Sequence, residues 1–179
     1  MLEIRTERLQ LMPLTAKQLS LYLDNPQSLE RALGFPVSRD VLIERVRRVI
    51  EEKLEKMAQA DEGTHVWHTY WLVIIAAGPF GAGLSGFKGI PDRNGEVEIG
   101  YAMDPAYQGR GYMTEAVRAM LDWAFQHPKC QSIIARDTKK SNLASLRILA
   151  KMGMTVYEQT GDALSLRVSR EEFWRVGAR

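Results

Sequence analysis

The chain has 179 residues, 45% of them hydrophobic and 26% charged, proportions of an ordinary globular domain able to bury a sizeable core. Its 24 basic and 22 acidic residues leave a net charge of +2, too small to draw nucleic acid or a membrane by overall charge. One cysteine, Cys130, cannot form an internal disulfide, the stretch Met1 to Arg8 is too charged for a signal peptide, and no run approaches the ~18 apolar residues of a membrane helix.

The expectation is therefore a cytoplasmic protein with one α/β domain over residues 1–179 and neither nucleic acid nor membrane as partner. In chain order, Leu9 to Met12 reads as a short strand ended by Pro13. Thr15 is placed to cap a helix over Ala16 to Leu23, which stops before Pro26, and a loop with Gly34 and Pro36 follows. A long helix is predicted from about Val41 to Ala60, with Leu42, Val46, Val49, Ile50, Leu54 and Met57 at helical period and a solvated face of Glu, Arg and Lys. Strands follow over His68 to Ala76 and Gly83 to Gly89, separated by a turn at Gly78-Pro79. Pro91 to Gly95 reads as a hairpin turn.

Glu96 to Met103 alternates strictly. Val97, Ile99, Tyr101 and Met103 share one face, and Glu96, Glu98, Gly100 and Ala102 the other. After Gln108-Gly-Arg-Gly111-Tyr-Met113 a helix is expected from about Thr114, then a strand over Ser132 to Arg136 and a helix over Asn142 to Met152 stopped by Gly153. Met154 to Gln159 and Ala163 to Val168 complete the sheet.

The informative unit is strand, glycine loop, helix, strand, helix. Gly109 and Gly111 stand directly before a helix N-terminus, where a glycine backbone turns its N–H groups inward and the helix start adds partial positive charge. That is a phosphate cradle, with Arg110 at its rim, although a plain strand-to-helix turn has the same outline. A nucleoside-triphosphate loop would need Gly-Lys-Ser/Thr, which is absent. Gly81-Ala-Gly83-Leu-Ser-Gly86 spells a dinucleotide fingerprint but leads into strand and hairpin. Gly109-Arg-Gly111 with Thr114 has the right flanks but lacks the third glycine and has too little chain behind it.

Gln108-Gly-Arg-Gly111-Tyr-Met113 resembles the acetyl-CoA signature Gln/Arg-x-x-Gly-x-Gly/Ala of the GNAT superfamily of N-acetyltransferases, with Met113 in place of the last small residue. Asn142-Leu-Ala-Ser145 followed by Lys151-Met-Gly153-Met154 resembles that family's next helix, with Met154 for the usual Phe. Thr6-Glu-Arg8-Leu9-Gln-Leu11 is similar to the opening strand of the RimJ/RimL-like branch, which acetylates ribosomal-protein N-termini.

The resemblance implies a mixed, mostly antiparallel sheet flanked by helices, with a V-shaped splay between two parallel strands, here Glu96 to Met103 and Ser132 to Arg136. It implies acetyl-CoA as acyl donor and a primary amine as acceptor. Backbone at Tyr101, Ala102 and Met103 would hold the pantetheine amides. The loop of Gln108, Gly109, Arg110, Gly111, Tyr112 and Met113 would hold the pyrophosphate, and Asn142 and Ser145 would lie beside the cofactor. Glu98 matches the family's strand carboxylate and is the expected general base, with Glu96 as the alternate on the same face. Many members protonate the leaving thiolate with a Tyr seven residues after the motif Asn. That position is Leu149 here, which leaves Ser145 as the donor. Asn142 also suits a simple helix cap.

His65 and His68 have metal-like spacing but no third ligand in view, so no metal is expected. Trp67, Trp71 and Trp123 read as packing residues. A CoA-binding fold that has lost catalysis and serves as a sensor is the alternative function class. The sequence leaves the identity of the amine and a homodimer open.

Overall fold

Apolar side chains alternate along the strands, so a single sheet feeds two cores, one on each face. The computed structural model describes residues 2–177. Its strands are β1 (Ile4–Arg5), β2 (Leu9–Pro13), β3 (Trp71–Ile75), β4 (Phe80–Phe87), β5 (Glu96–Met103), β6 (Ser132–Lys139), β7 (Thr155–Thr160) and β8 (Ala163–Ser169). Its helices are α1 (Ala16–Asp24), α2 (Pro26–Leu33), α3 (Glu44–Gln59), α4 (His65–His68), α5 (Tyr112–Phe125), α6 (Leu143–Lys151) and α7 (Arg170–Gly177). The strand order is β1-β2-β3-β4-β5-β6-β8-β7, antiparallel throughout except for the parallel pair β5/β6. This is the mixed, mostly antiparallel architecture that the resemblance implied. Among the described residues no helix is long and apolar enough to cross a membrane.

On one face Leu9, Leu11, Trp71, Val73, Val97 and Ile99 pack with the buried side of α5. Its centre is aromatic: Trp67 and Trp123 lie 4.5 Å apart between ring centroids, Trp71 and Trp123 5.1 Å, and Trp67 and Phe87 5.2 Å. The three tryptophans are thus packing residues. On the other face Leu72, Ile74 and Leu84 meet α1, α2 and α3 through Leu19, Leu29, Val46 and Ile50. The Gly81 to Gly86 fingerprint lies inside β4. There a Cβ at Gly83 would stand 2.7 Å from the Ala102 carbonyl oxygen, and one at Gly86 2.6 Å from that of Thr69. Close backbone approach, not a cofactor, is what these glycines permit.

Several elements differ from the sequence reading. Residues 26–33 form α2 rather than a loop: the Asn25 side chain accepts a hydrogen bond from the Ser28 amide (3.1 Å), Pro26 takes the first turn, and Gly34 closes the helix at φ 80°. His68 ends α4 instead of opening a strand, because Trp67 is drawn into the aromatic core and the Trp71 indole donates to the Val66 carbonyl at 2.9 Å. Helix α3 starts at Glu44, and Val41 and Leu42 are buried in the connection before it. β6 runs past Arg136 to Lys139, and α7 follows β8, where the Phe173 ring packs tilted against Phe125 with centroids 5.3 Å apart.

Helix α3 holds a further departure, since one of its lysines leaves the solvated face. Lys53 falls on the apolar stripe with Val46, Ile50 and Met57 and is 4% exposed. Its ammonium donates to the carbonyl oxygens of His68 (2.9 Å), Thr69 (3.3 Å) and Phe87 (2.5 Å), and lies 4.5 Å from the Tyr70 ring centroid. These acceptors favour the charged form, whereas burial, helped by Lys56 and Lys88, brings the pKa down to about 7. Lys53→Met leaves the carbonyls without their donor and is expected to cost about 1–3 kcal/mol, read as a lower urea midpoint at unchanged slope. Between pH 7 and about 10 the unfolded chain carries a proton on Lys53 that the folded chain has shed. Wild-type stability therefore gains over Lys53→Met as pH rises through that window, which thermal melts at pH 7, 8 and 9 would check.

Candidate active site

The parallel strands β5 and β6 pair only at Glu96/Ser132, Val97/Ile133 and Glu98/Ile134. Beyond Glu98, β5 continues to Met103 with no strand on its β6 side among the described residues. β6 bends away at a register shift against β8 between Ala135 and Thr138, where Asp137 adopts φ 52°. The divergence opens a cleft of about 700 Å³. Glu98 to Met103 line one wall, Ala135 to Lys139 the other, and Asn142, which caps α6, and Ser145 of its first turn line the cleft beside β6.

The glycine loop closes one end. Asp104 accepts a hydrogen bond from the Ala106 amide (2.8 Å), and the Gln108 side chain donates to the Met103 carbonyl (3.0 Å), fixing the turn out of β5. Gly109 and Gly111 take φ 75° and 81°, a region only glycine enters cheaply, and Gly111 caps α5 with no side-chain partner. The first amides of α5 therefore face the cleft end unsatisfied by a cap. Gly109, Gly111, Tyr112 and Met113 all line the cleft. Met113 is 7% exposed and packs into the core, so it substitutes for a small residue by pointing inward. Arg110 is not among the lining residues; its guanidinium lies 5.5 Å from the Tyr107 ring centroid.

The N-terminal segment holds this loop from behind. Glu115 of α5 accepts from the Thr6 hydroxyl (2.5 Å), the Arg8 amide (2.9 Å) and the Arg8 Nε (2.7 Å). Arg8 also donates to the Arg110 carbonyl (3.0 Å) and covers the Tyr112 ring at 4.8 Å. Burial raises the Glu115 pKa, but the hydrogen bonds from Thr6 and Arg8 outweigh it and hold the carboxyl below its usual range. The motif Thr6-Glu-Arg8 thus clamps the glycine loop, a contact between residues 107 positions apart that the sequence reading did not include.

In the middle of the cleft the Tyr101 hydroxyl and Ser145 Oγ are hydrogen-bonded at 2.7 Å, joining β5 to α6. Burial, against the bond to Ser145, pushes the Tyr101 pKa up to about 12, so the phenol stays protonated. The sequence reading used only the backbone of Tyr101. Its place on the strand face opposite Glu98 was the signal that its side chain turns toward α6. Leu149 is wholly buried in the core. The Asn142 side chain caps α6 by accepting from the Ser145 amide at 3.1 Å, while the residue also lines the cleft. Glu98 lines the cleft paired to Lys88. Glu96 lies outside the cleft, bonded to Arg136 (3.2 Å), with Arg167 at 3.9 Å.

Cleft-lining basic residues (Arg45, Lys53, Lys88, Arg136, Lys139, Arg147 and Lys151) outnumber the acids Glu98 and Asp137. Cys130 is buried in the core, where burial raises its pKa to about 11. His65 bonds the Ala60 carbonyl at 3.2 Å, and no three His, Cys, Asp or Glu side chains gather into a metal-binding group among the described residues.

Residues 8–155 match the family model described as the acetyltransferase (GNAT) domain. A sequence relative, the uncharacterized N-acetyltransferase YjdG of Bacillus subtilis (strain 168), is 30% identical over 92 residues, which are 51% of this chain and 54% of YjdG. The matched stretch therefore spans about half of that relative's length. The ribosomal-protein-S5-alanine acetyltransferase of Vibrio fischeri superposes with a TM-score of 0.61 at 19% identity, over 97% of this chain and 99% of that one. RimL, the ribosomal L7/L12 α-N-protein acetyltransferase solved with coenzyme A, superposes with 0.58 at 19% identity, over 94% and 96%. At those identities the likeness is one of fold. With the family model spanning most of the chain, this protein belongs to the GNAT acetyltransferase family.

Proposed function

We propose that the protein transfers an acetyl group from acetyl-CoA to a primary amine, a peptide N-terminus or a small amine, by direct attack within a ternary complex. The observation that carries this reading is the parting of β5 from β6 after Glu98, which leaves a cleft ending at the glycine loop and the start of α5. A pantetheine arm carries two amides and would take the place of the missing strand along Tyr101, Ala102 and Met103. The amides from Gln108 to Met113 would receive the pyrophosphate, and the cationic lining suits a polyanionic donor.

When bound, acetyl-CoA supplies the thioester carbonyl that the amine attacks. Glu98 takes one proton from the ammonium, which frees the nitrogen lone pair. A free N–H on the open edge of β5 is placed to meet the oxyanion. As the C–N bond completes and the C–S bond breaks, Ser145 donates a hydrogen bond to the departing sulfur and Tyr101 donates to Ser145. The nitrogen sheds its second proton as the amide forms and the departing sulfur takes one up, so the products are the amide and the free thiol.

Isothermal titration of acetyl-CoA against wild type and Gly111→Glu tests the cofactor site. Micromolar binding, lost in a variant that still folds, is the expected result, and absence of binding to wild type would overturn the reading. Arg8→Ala should raise KM for acetyl-CoA several-fold with little change in kcat, since it loosens the loop and touches no reacting atom. Glu98→Gln should lower kcat about 10²-fold at pH 7. The deficit should shrink above pH ~8, where an α-amine loses its proton unaided. Tyr101→Phe should cost about tenfold in kcat at unchanged KM, and rates measured with a thiol-reactive dye would show it.

A further inference from the structure

Resting on the acyl-transfer reading, we infer that the α3 wall of the cleft selects a peptide N-terminus carrying an acidic side chain within its first few residues. Arg45, Val49 and Lys53 recur at a spacing of four on α3 and all line the cleft. The bond from Lys53 to the Phe87 carbonyl sets that part of α3 at the level of Ile99, which pairs with Phe87, and hence beside Glu98. Arg45 stands eight positions earlier, about 12 Å away along the helix at ~1.5 Å per residue. An extended peptide of three to four residues covers that distance at ~3.3 Å each. Between Arg45 and Lys53 the wall is apolar, formed by Val46 and Val49 with Ile43 beside them.

The charges on this wall are uneven. Lys53 is held by its three carbonyls, and Lys88 is matched by Glu98. Arg45 is exposed and has no hydrogen-bond or ion-pair partner among the described residues. The other carboxylates of α3, Glu44, Glu51, Glu52 and Glu55, lie outside the lining. A polyamine would bring further ammonium groups to a wall with no free carboxylate to receive them. A peptide carboxylate about three residues from the amine gives Arg45 a charge-assisted partner.

The test uses peptides beginning Ser-Ala and continuing Asp-Asp, Asn-Asn or Lys-Lys, with serine and serinamide alongside, acetylated by wild type, Arg45→Ala and Arg45→Glu. Wild type should prefer Asp-Asp over Asn-Asn about fivefold in kcat/KM, and Lys-Lys least. The preference should fall toward one in Arg45→Ala and in 0.5 M salt, and reverse in Arg45→Glu, with KM for acetyl-CoA unchanged. Equal rates for all peptides, a preference for Lys-Lys, or serine exceeding every peptide would overturn the inference. So would an Arg45→Ala effect confined to KM for acetyl-CoA, which would assign the arginine to the donor. Calorimetric binding of the N-acetylated Asp-Asp and Asn-Asn peptides needs no turnover. Tighter binding of the acidic product, lost in Arg45→Ala, sustains the inference even if no amine releases thiol, an outcome that would sink acyl transfer alone. No difference between the two would sink the inference alone.

Discussion

Three backbone pairs between β5 and β6 govern the rest of the molecule. Two parallel strands hydrogen-bonded along their whole length would make a continuous sheet with no room for a ligand. Here the pairing stops at Glu98/Ile134, and β6 turns aside at Arg136 and Asp137. An unpaired strand edge buried in protein is costly, because each free N–H and C=O keeps its desolvation penalty. From Ile99 to Met103 that edge borders the cleft instead, where its free groups are open to water or to a ligand, and the Met103 carbonyl is met by the Gln108 side chain.

The fold meets the cost of that opening by bracing both sides. β4 pairs with β5 along its length, from Phe87/Ile99 to Gly83/Met103, and its glycines let neighbouring backbone come close. Behind β6, β8 pairs across the bulge. Tyr101 and Ser145 tie the two walls together at mid-cleft. At the loop end, Arg8 and Thr6 converge on Glu115, so the turn between β1 and β2 holds the helix that follows β5. Lys53 does the corresponding work at the other end, fastening α3 across the ends of β3 and β4. The cleft is thus a gap held open by polar contacts between elements far apart in sequence.

Two neighbouring carboxylates on one strand face show how position separates roles. Glu96 lies where β5 and β6 are still paired, and it is engaged by Arg136 and Arg167 across the strands. Glu98 sits at the last paired position and borders the cleft, with Lys88 beside it. The alternation of the strand puts both on one face, with Glu98 the expected base and Glu96 the alternate; the strands part so that Glu98 alone of the two lines the cleft.

Period and punctuation determined much by themselves. The alternation from Val97 to Met103 gave β5 and its two faces, and the 3.6 period gave α5 and α6. The glycines before a helix gave the loop at Gly109 and Gly111, because only glycine adopts its backbone cheaply. Those are local constraints, carried by neighbouring residues. Helix α2 is legible in Asn25-Pro26 and Gly34, whose capping chemistry is local too, although a proline stops one helix as readily as it starts the next. Only the tertiary structure decided the rest. The clamp between Arg8 and Glu115, the hydroxyl pair of Tyr101 and Ser145, and the burial of Lys53 each depend on a partner from another element. Periodicity says which face a side chain leaves from, and the packing of the sheet against its helices decides what it meets.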